Sequence, residues 1–354
     1  MRIIDADGHV AEGASLAVQA MQRWPRHIAP RTDGLGLVIE GRQYPEPTGP
    51  GAGCPIDHGL TTAPGLNCRT PAGVVGDAER DHIDAMVLYP SLGLCTPTLR
   101  DPGFAAGFAR FYNQWLADYC ATAPGRLYGV AVTPIEMGAT AIEIMREAKD
   151  LGLVATHVPP GLRSKNLDHP DLDAFYAAAV DLDMPLGIHG AAGMNMPKIG
   201  VDRFTNYVQV HSIGSPFDQM SAMTSLVSGG VFDRHPGLRV AFLDAGAGWL
   251  PYFIDRLRSH FVKRGDWIEG GWRRDPYDYL AAGNIWVTCA AGEPLLSGVI
   301  DVLGEDFLMF ASHYPLWSGD WPESTKPLRG RGDLSDSARR KVGARNAARF
   351  YRLD

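Results

Sequence analysis

Short apolar runs alternate with amphipathic stretches along most of this chain. The first run ends at once in Asp5, Asp7 and His9. Alternation along a strand lets those three side chains share one face while the backbone holds them rigid. Further apolar runs at 85–89, 127–132, 153–158, 185–188, 239–243, 285–288 and 308–311 read as strands. Amphipathic stretches at 104–121, 139–151 and 172–182 read as helices between them, and 217–227 is strongly helical. Residues 42–75 show neither period. They are rich in Gly and Pro and read as a long excursion or lid inserted after the first strand.

Strands that alternate with helices imply crossover connections and a parallel sheet. Eight of them in 354 residues predict a closed (β/α)8 barrel, the α/β TIM-barrel class, folded as one domain over 1–354. A doubly wound open sheet fits less well, because no Gly-rich dinucleotide fingerprint follows any strand.

Composition narrows the functions without choosing one. The chain is 45% hydrophobic and 21% charged, enough for a large core. A net charge of −7, with no block of like charges, argues against nucleic acid or an anionic membrane as partner. No apolar run reaches membrane-spanning length and no signal-peptide pattern opens the chain, so the expected setting is the cytoplasm. The five cysteines are scattered, with no C-x-x-C pair. They predict reduced, buried thiols, and any metal would be held by His and carboxylates.

The polar residues at strand ends carry the functional signal. Barrel chemistry is done by side chains at the C-terminal ends of strands, where the strand fixes them and the next loop varies. Asp7 and His9 follow the first strand, His189 the fifth, Asp244 the sixth and His313 the eighth, while His157 lies within the fourth. Glu12 comes three residues after His9, and His211 stands at a loop-to-helix junction above the fifth strand. Each has a structural alternative: Asp5 and Asp7 as turn caps, His157 as a core imidazole, Glu12 as a surface carboxylate. His27, His58, His82, His169, His235 and His260 lie in polar or helical surroundings and read as surface or structural. Nitrogen and oxygen ligands without sulfur suit zinc, iron or manganese.

The runs IDADGHV, DAMVLYPSLGL, GIHG, GGVFDRHPGLRVAFLDAGAGWLPYFIDRL and LMFASHYPLW together resemble the amidohydrolase-related superfamily that includes the aminocarboxymuconate semialdehyde decarboxylases. The resemblance implies a TIM barrel with a metal at its mouth. Asp7 stands where that family usually has a first His, Asp244 where the decarboxylases have a catalytic His, and His313 where an Asp is expected. The D-x-H-x-x-E opening, the His211 segment leading into PFDQM, and Asp244 are more similar to a branch of nonheme diiron monooxygenases that includes enzymes of diterpenoid biosynthesis. That likeness implies two iron ions shared by Asp7, His9, Glu12, His189, His211, Asp244 and His313, with Asp244 and Glu12 also serving catalysis. Its expected partners are O2, an electron donor and an apolar small-molecule substrate such as a CoA thioester. Tyr314 and Trp317 would tune the imidazoles. The alternative is a single-metal decarboxylase or hydrolase, with Asp7, His9, His189 and His313 around one zinc or manganese and Asp244 as acid or base. A barrel without chemistry is the third reading. Aromatics at Trp267, Trp272 and Tyr277 would suit a homo-oligomer interface or simple packing.

Overall fold

The computed structural model describes residues 1–34, 36–52, 65–269 and 271–353. Its strands are β1 (Ile4–His9), β2 (Ile28–Pro30), β3 (Leu37–Ile39), β4 (Arg42–Tyr44), β5 (Ala85–Tyr89), β6 (Leu127–Val132), β7 (Ala155–Val158), β8 (Leu186–Ile188), β9 (Val240–Phe242), β10 (Ile285–Cys289) and β11 (Leu308–Phe310). Eight of them form one parallel sheet in the order β1-β5-β6-β7-β8-β9-β10-β11. With helices packed outside, this is the predicted eight-stranded TIM-barrel architecture.

The seam between β11 and β1 is closed largely by a side chain. Asp5 accepts hydrogen bonds from the Ser312 amide (3.1 Å) and hydroxyl (2.5 Å), and the His9 amide donates to Tyr314 O at 2.6 Å. Burial raises the Asp5 pKa, and the Ser312 bonds partly offset that rise.

The expectation that Asp5, Asp7 and His9 share a face is corrected here. The register of β1 on β5 slips between Asp5 and Gly8, because Asp5 pairs with Met86 but Gly8 pairs with Leu88. One extra residue is accommodated as a bulge, and bulges re-aim side chains. Asp5 turns to the seam beside Gly8, where a Cβ would lie 3.0 Å from Asp5 Oδ2. Asp7 and His9 turn instead to the barrel mouth. The Asp7 amide donates to Asp5 Oδ1 at 3.1 Å, a local bond that suits a bulge.

Two apolar cores result. The larger lies between the strands and the surrounding helices. The smaller fills the barrel interior with Ile4, Ala6, Val87, Tyr89, Trp286 and Met309, and is closed from below by Ala347, Phe350 and Tyr351 near the chain's end. The Tyr351 hydroxyl donates to Ala6 O (2.8 Å) and lies 3.0 Å from the Tyr89 hydroxyl. The base of the barrel is thereby tied to the strand that carries Asp7.

The insertion is more ordered than its sequence suggests. Its first residues form β4, which joins the preceding β2 and β3 in a small antiparallel sheet, and its last ones enter the helix 71–80, capped by Thr70. Three-residue strands are too short to show a period, which is why the sequence reads as structureless there. Within the expected lid, 53–64 lies outside the described residues, and with it Cys54 and His58. The other four cysteines are free and buried. Among the described residues, no helix is long and apolar enough to cross a membrane.

Candidate metal centre

At the C-terminal mouth, one ligand atom each from Asp7, His9 and His189 lies within 4.8 Å of the others, all three residues buried. His9 Nδ1 faces Pro90 O at 2.9 Å and His189 Nδ1 faces Gly190 O at 2.5 Å. A carbonyl can only accept, so each Nδ1 carries the proton and each Nε2 presents a lone pair. Those two Nε2 atoms point at one another across 3.1 Å. Asp7 Oδ1 lies 3.9 Å from one and 3.7 Å from the other. Both Asp7 oxygens are buried and, among the described residues, lack a hydrogen-bond partner.

Two opposed lone pairs beside an unpaired carboxylate are an unfavourable arrangement for protein atoms alone, and one a cation would resolve. The residues therefore fit a divalent metal. Burial holds His9 down to about 3 and His189 to about 4, so both imidazoles are neutral and competent as ligands near neutrality. Burial also raises the Asp7 pKa well above the carboxylate range, as expected of an acid without partners.

Asp244 and His313 stand beside this group, with His313 Nδ1 3.3 Å from Asp244 Oδ1. Burial alone would raise Asp244, but His313, His189 and a Ser215 hydroxyl bond of 2.6 Å keep it ionised. Burial alone would lower His313, but Asp244 outweighs it and pushes His313 up to about 9. Both residues have positive φ, 57° each, an uncommon backbone state for a side chain and one concentrated at functional strand ends.

The remaining sequence-chosen residues lie elsewhere. Glu12 Oε1 accepts from the Ser91 amide (2.9 Å), the Gly93 amide (3.1 Å) and the Tyr112 hydroxyl (2.6 Å), so it fastens the loop after β5. His211 is inside the helix Tyr207–Ser228, which begins ten residues before the expected 217, and its ring packs 5.2 Å from Trp317. Neither joins a ligand cluster among the described residues. Tyr314 reaches away to Asp77 at 2.9 Å. His157 is fully buried, and its Nε2 donates to His189 O at 2.9 Å, bracing the strand end that carries the His189 imidazole. Trp267 is exposed and Trp272 packs on Phe261. Ser215 and Ser312 were not singled out in the sequence; only contacts between distant segments reveal them.

A parallel barrel with His and Asp side chains gathered at its C-terminal mouth has the layout of the TIM-barrel enzymes, whose sites lie at that end. The amidohydrolase family model matches residues 77–353, and the chain belongs to that family. It is 26% identical over 295 residues to the 2-amino-3-carboxymuconate-6-semialdehyde decarboxylase of Dictyostelium discoideum, covering 81% of this chain and 78% of that one. It is 27% identical over 277 residues to the gamma-resorcylate decarboxylase of Rhodococcus jostii, covering 71% and 78%. A dihydroxybenzoic acid decarboxylase from Polaromonas sp. JS666, solved with bound manganese and 2-nitroresorcinol, shares the fold with a TM-score of 0.69. Its identity is 18%, over 99% of this chain and 97% of that one.

These findings overturn the oxygenase expectation. The curated relatives are decarboxylases, which belong with the single-metal alternative rather than with a diiron monooxygenase. Two irons, O2, an electron donor and a CoA thioester therefore lose their support. The D-x-H-x-x-E likeness misled because Glu12, three residues past His9, turns to backbone amides rather than to the imidazoles.

Proposed function

We propose that this chain is a divalent-metal-dependent decarboxylase of a small aromatic or unsaturated carboxylate, and that Asp7, His9 and His189 hold one zinc or manganese ion. The observation that carries the reading is the pair of facing Nε2 lone pairs beside the unpaired Asp7 carboxylate. The decarboxylase chemistry of the curated relatives supports the reaction type. When bound, the cation would supply a Lewis acid that draws a substrate oxygen and stabilises negative charge.

The chain's own residues do the rest. Asp244 and His313, held as an ion pair and fixed by Ser215, keep a set charge at the mouth. The carbonyls of Pro90 and Gly190 fix the imidazole orientations, and His157 braces the backbone of His189. A cytoplasmic setting and a charge-fixing role for Asp244, held by His313 and Ser215, belong to the same proposal.

The test is carbon dioxide release under argon from metal-stripped protein reloaded with Mn2+ or Zn2+. It would use a panel of aromatic carboxylates that includes 2,6-dihydroxybenzoate and 5-carboxyvanillate. Metal-dependent release without oxygen is expected, and His189→Ala should lose both bound metal and turnover. Full metal occupancy in His189→Ala, or no release from any carboxylate by the loaded protein, would refute the reading.

A further inference from the structure

Decarboxylation must replace the departing carboxylate with hydrogen, so the site needs an acid within reach of the substrate carbon. The acids already described are committed. Asp7 belongs to the proposed cation, Asp244 is paired with His313 and Ser215, and Glu12 holds the loop after β5. Glu293 accepts from the amides of Ala247 and Ala290 and pins the loop after β9.

The helix Tyr207–Ser228 supplies a different group. His211, Ser215 and Asp218 are spaced i, i+4, i+7 and so line one face. Ser215 shows where that face looks, because its hydroxyl reaches Asp244. Gln219, one residue on, donates to Ile188 O at 3.1 Å and ties the helix to the end of β8. Asp218 then lies over Gly190, the residue after His189: a Cβ on Gly190 would come within 2.6 Å of Asp218 Oδ2. The missing side chain at Gly190 is what leaves room for this carboxyl. Among the described residues, no hydrogen bond or ion pair engages the Asp218 side chain.

We propose that Asp218 is the proton donor of the reaction, an assignment that rests on the decarboxylase reading above. Its neutral carboxyl transfers a proton to the carbon that bears the substrate carboxylate, forming the C–H bond. The C–C bond then breaks, its electron pair restores the unsaturated system, and CO2 leaves. Asp218 is left as a carboxylate and recovers its proton from solvent. Burial, together with the charge of Asp244, lifts its pKa to about 7, so a large share of molecules carry that proton near neutrality.

The experiment follows both directions of the proton step in Mn2+-loaded protein. Decarboxylation is measured on the carboxylate panel, and exchange of the product's new C–H hydrogen in D2O is followed by proton NMR. Asp218→Asn should lower both rates by about 100-fold or more, in the range for removal of a general acid. Its KM, Mn2+ stoichiometry and Mn2+ affinity should stay close to wild type. Asp218→Glu should recover part of both rates. Gly190→Ala, which must push the flexible carboxyl aside, should reproduce the loss without removing the acid. Exchange retained in Asp218→Asn while the wild type decarboxylates overturns the assignment alone and leaves the metal reading standing. Loss of Mn2+ from Asp218→Asn also overturns it. No decarboxylation by the wild type on any carboxylate overturns both.

Discussion

The sharpest consequence of the proposed metal centre is that Asp7 should weaken the metal-free protein. Asp7 is buried with both oxygens unpaired. Leaving a buried polar group unsatisfied costs roughly 1–3 kcal/mol. Because burial raises its pKa, the folded chain binds this proton more tightly than the unfolded chain does. The destabilisation therefore grows as pH rises above the ordinary carboxylate range, and is complete above the raised folded value. Asp7→Asn removes the charge but keeps an amide in the same place, so the gain lies between zero and about 2 kcal/mol. At about 2.1 cal/mol/K of unfolding entropy per residue, 354 residues give about 0.7 kcal/mol/K, and the metal-free Tm rises by up to about 3 °C. Bound metal acts in the opposite sense. Excess cation at about 1,000 times its Kd stabilises the wild type by roughly 4 kcal/mol, or about 6 °C. Loss of even an outer partner of a metal ligand lowers affinity about 10–100-fold, so loss of the anionic ligand itself should cost at least about 100-fold. Differential scanning calorimetry with and without Mn2+, paired with titration calorimetry, reads both effects. A metal-free Asp7→Asn protein that melts several degrees below wild type, or that keeps the full Mn2+-induced shift, would refute the reasoning.

Three further outcomes are expected. In metal-free protein, His313 is pushed up to about 9 from an ordinary value near 6.5. Its stabilising pairing with Asp244 is then fully present below about 6.5 and lost as pH rises through about 9; it is worth roughly 3 kcal/mol counted once for the pair. Urea unfolding of wild type and His313→Gln should show a gap at pH 6 that narrows by pH 10, and a constant gap would count against the pair. Ser312→Ala removes a bond to buried Asp5 and one from the Tyr314 amide, so it should cost about 2–4 kcal/mol in denaturant unfolding. Tyr351→Phe removes the hydroxyl bond to Ala6 O and should cost about 1–2 kcal/mol. It should also weaken Mn2+ binding measured by titration, and unchanged Mn2+ affinity would limit Tyr351 to the barrel floor.

Much of the barrel was legible because burial on both faces writes parallel strands as short continuous apolar runs. Strands β5 and β6 fall at the expected residues, and the others within one or two. The polar residues that break those runs at their ends pointed to Asp7, His9, His189, Asp244 and His313 for the same reason: a charged group at a strand end stands out against an apolar run. The helix around His211 was harder to read, since Gly214, Ser215 and Pro216 break its pattern, although the helix runs through them.

The sequence by itself determined an α/β barrel and the polar strand ends that gather at its mouth, because those depend on local periodicity and residue type. Only the tertiary structure decided which residues meet. A one-residue bulge in β1 sends Asp5 to the seam and Asp7 to the mouth, an effect of register with β5 that no spacing within β1 records. Glu12 is drawn off by amides of the loop after β5, some eighty residues along the chain. Asp218 gains its place from the missing side chain at Gly190 on a different element. Contacts between segments far apart in sequence set each of these outcomes, and they exist only once the barrel has closed.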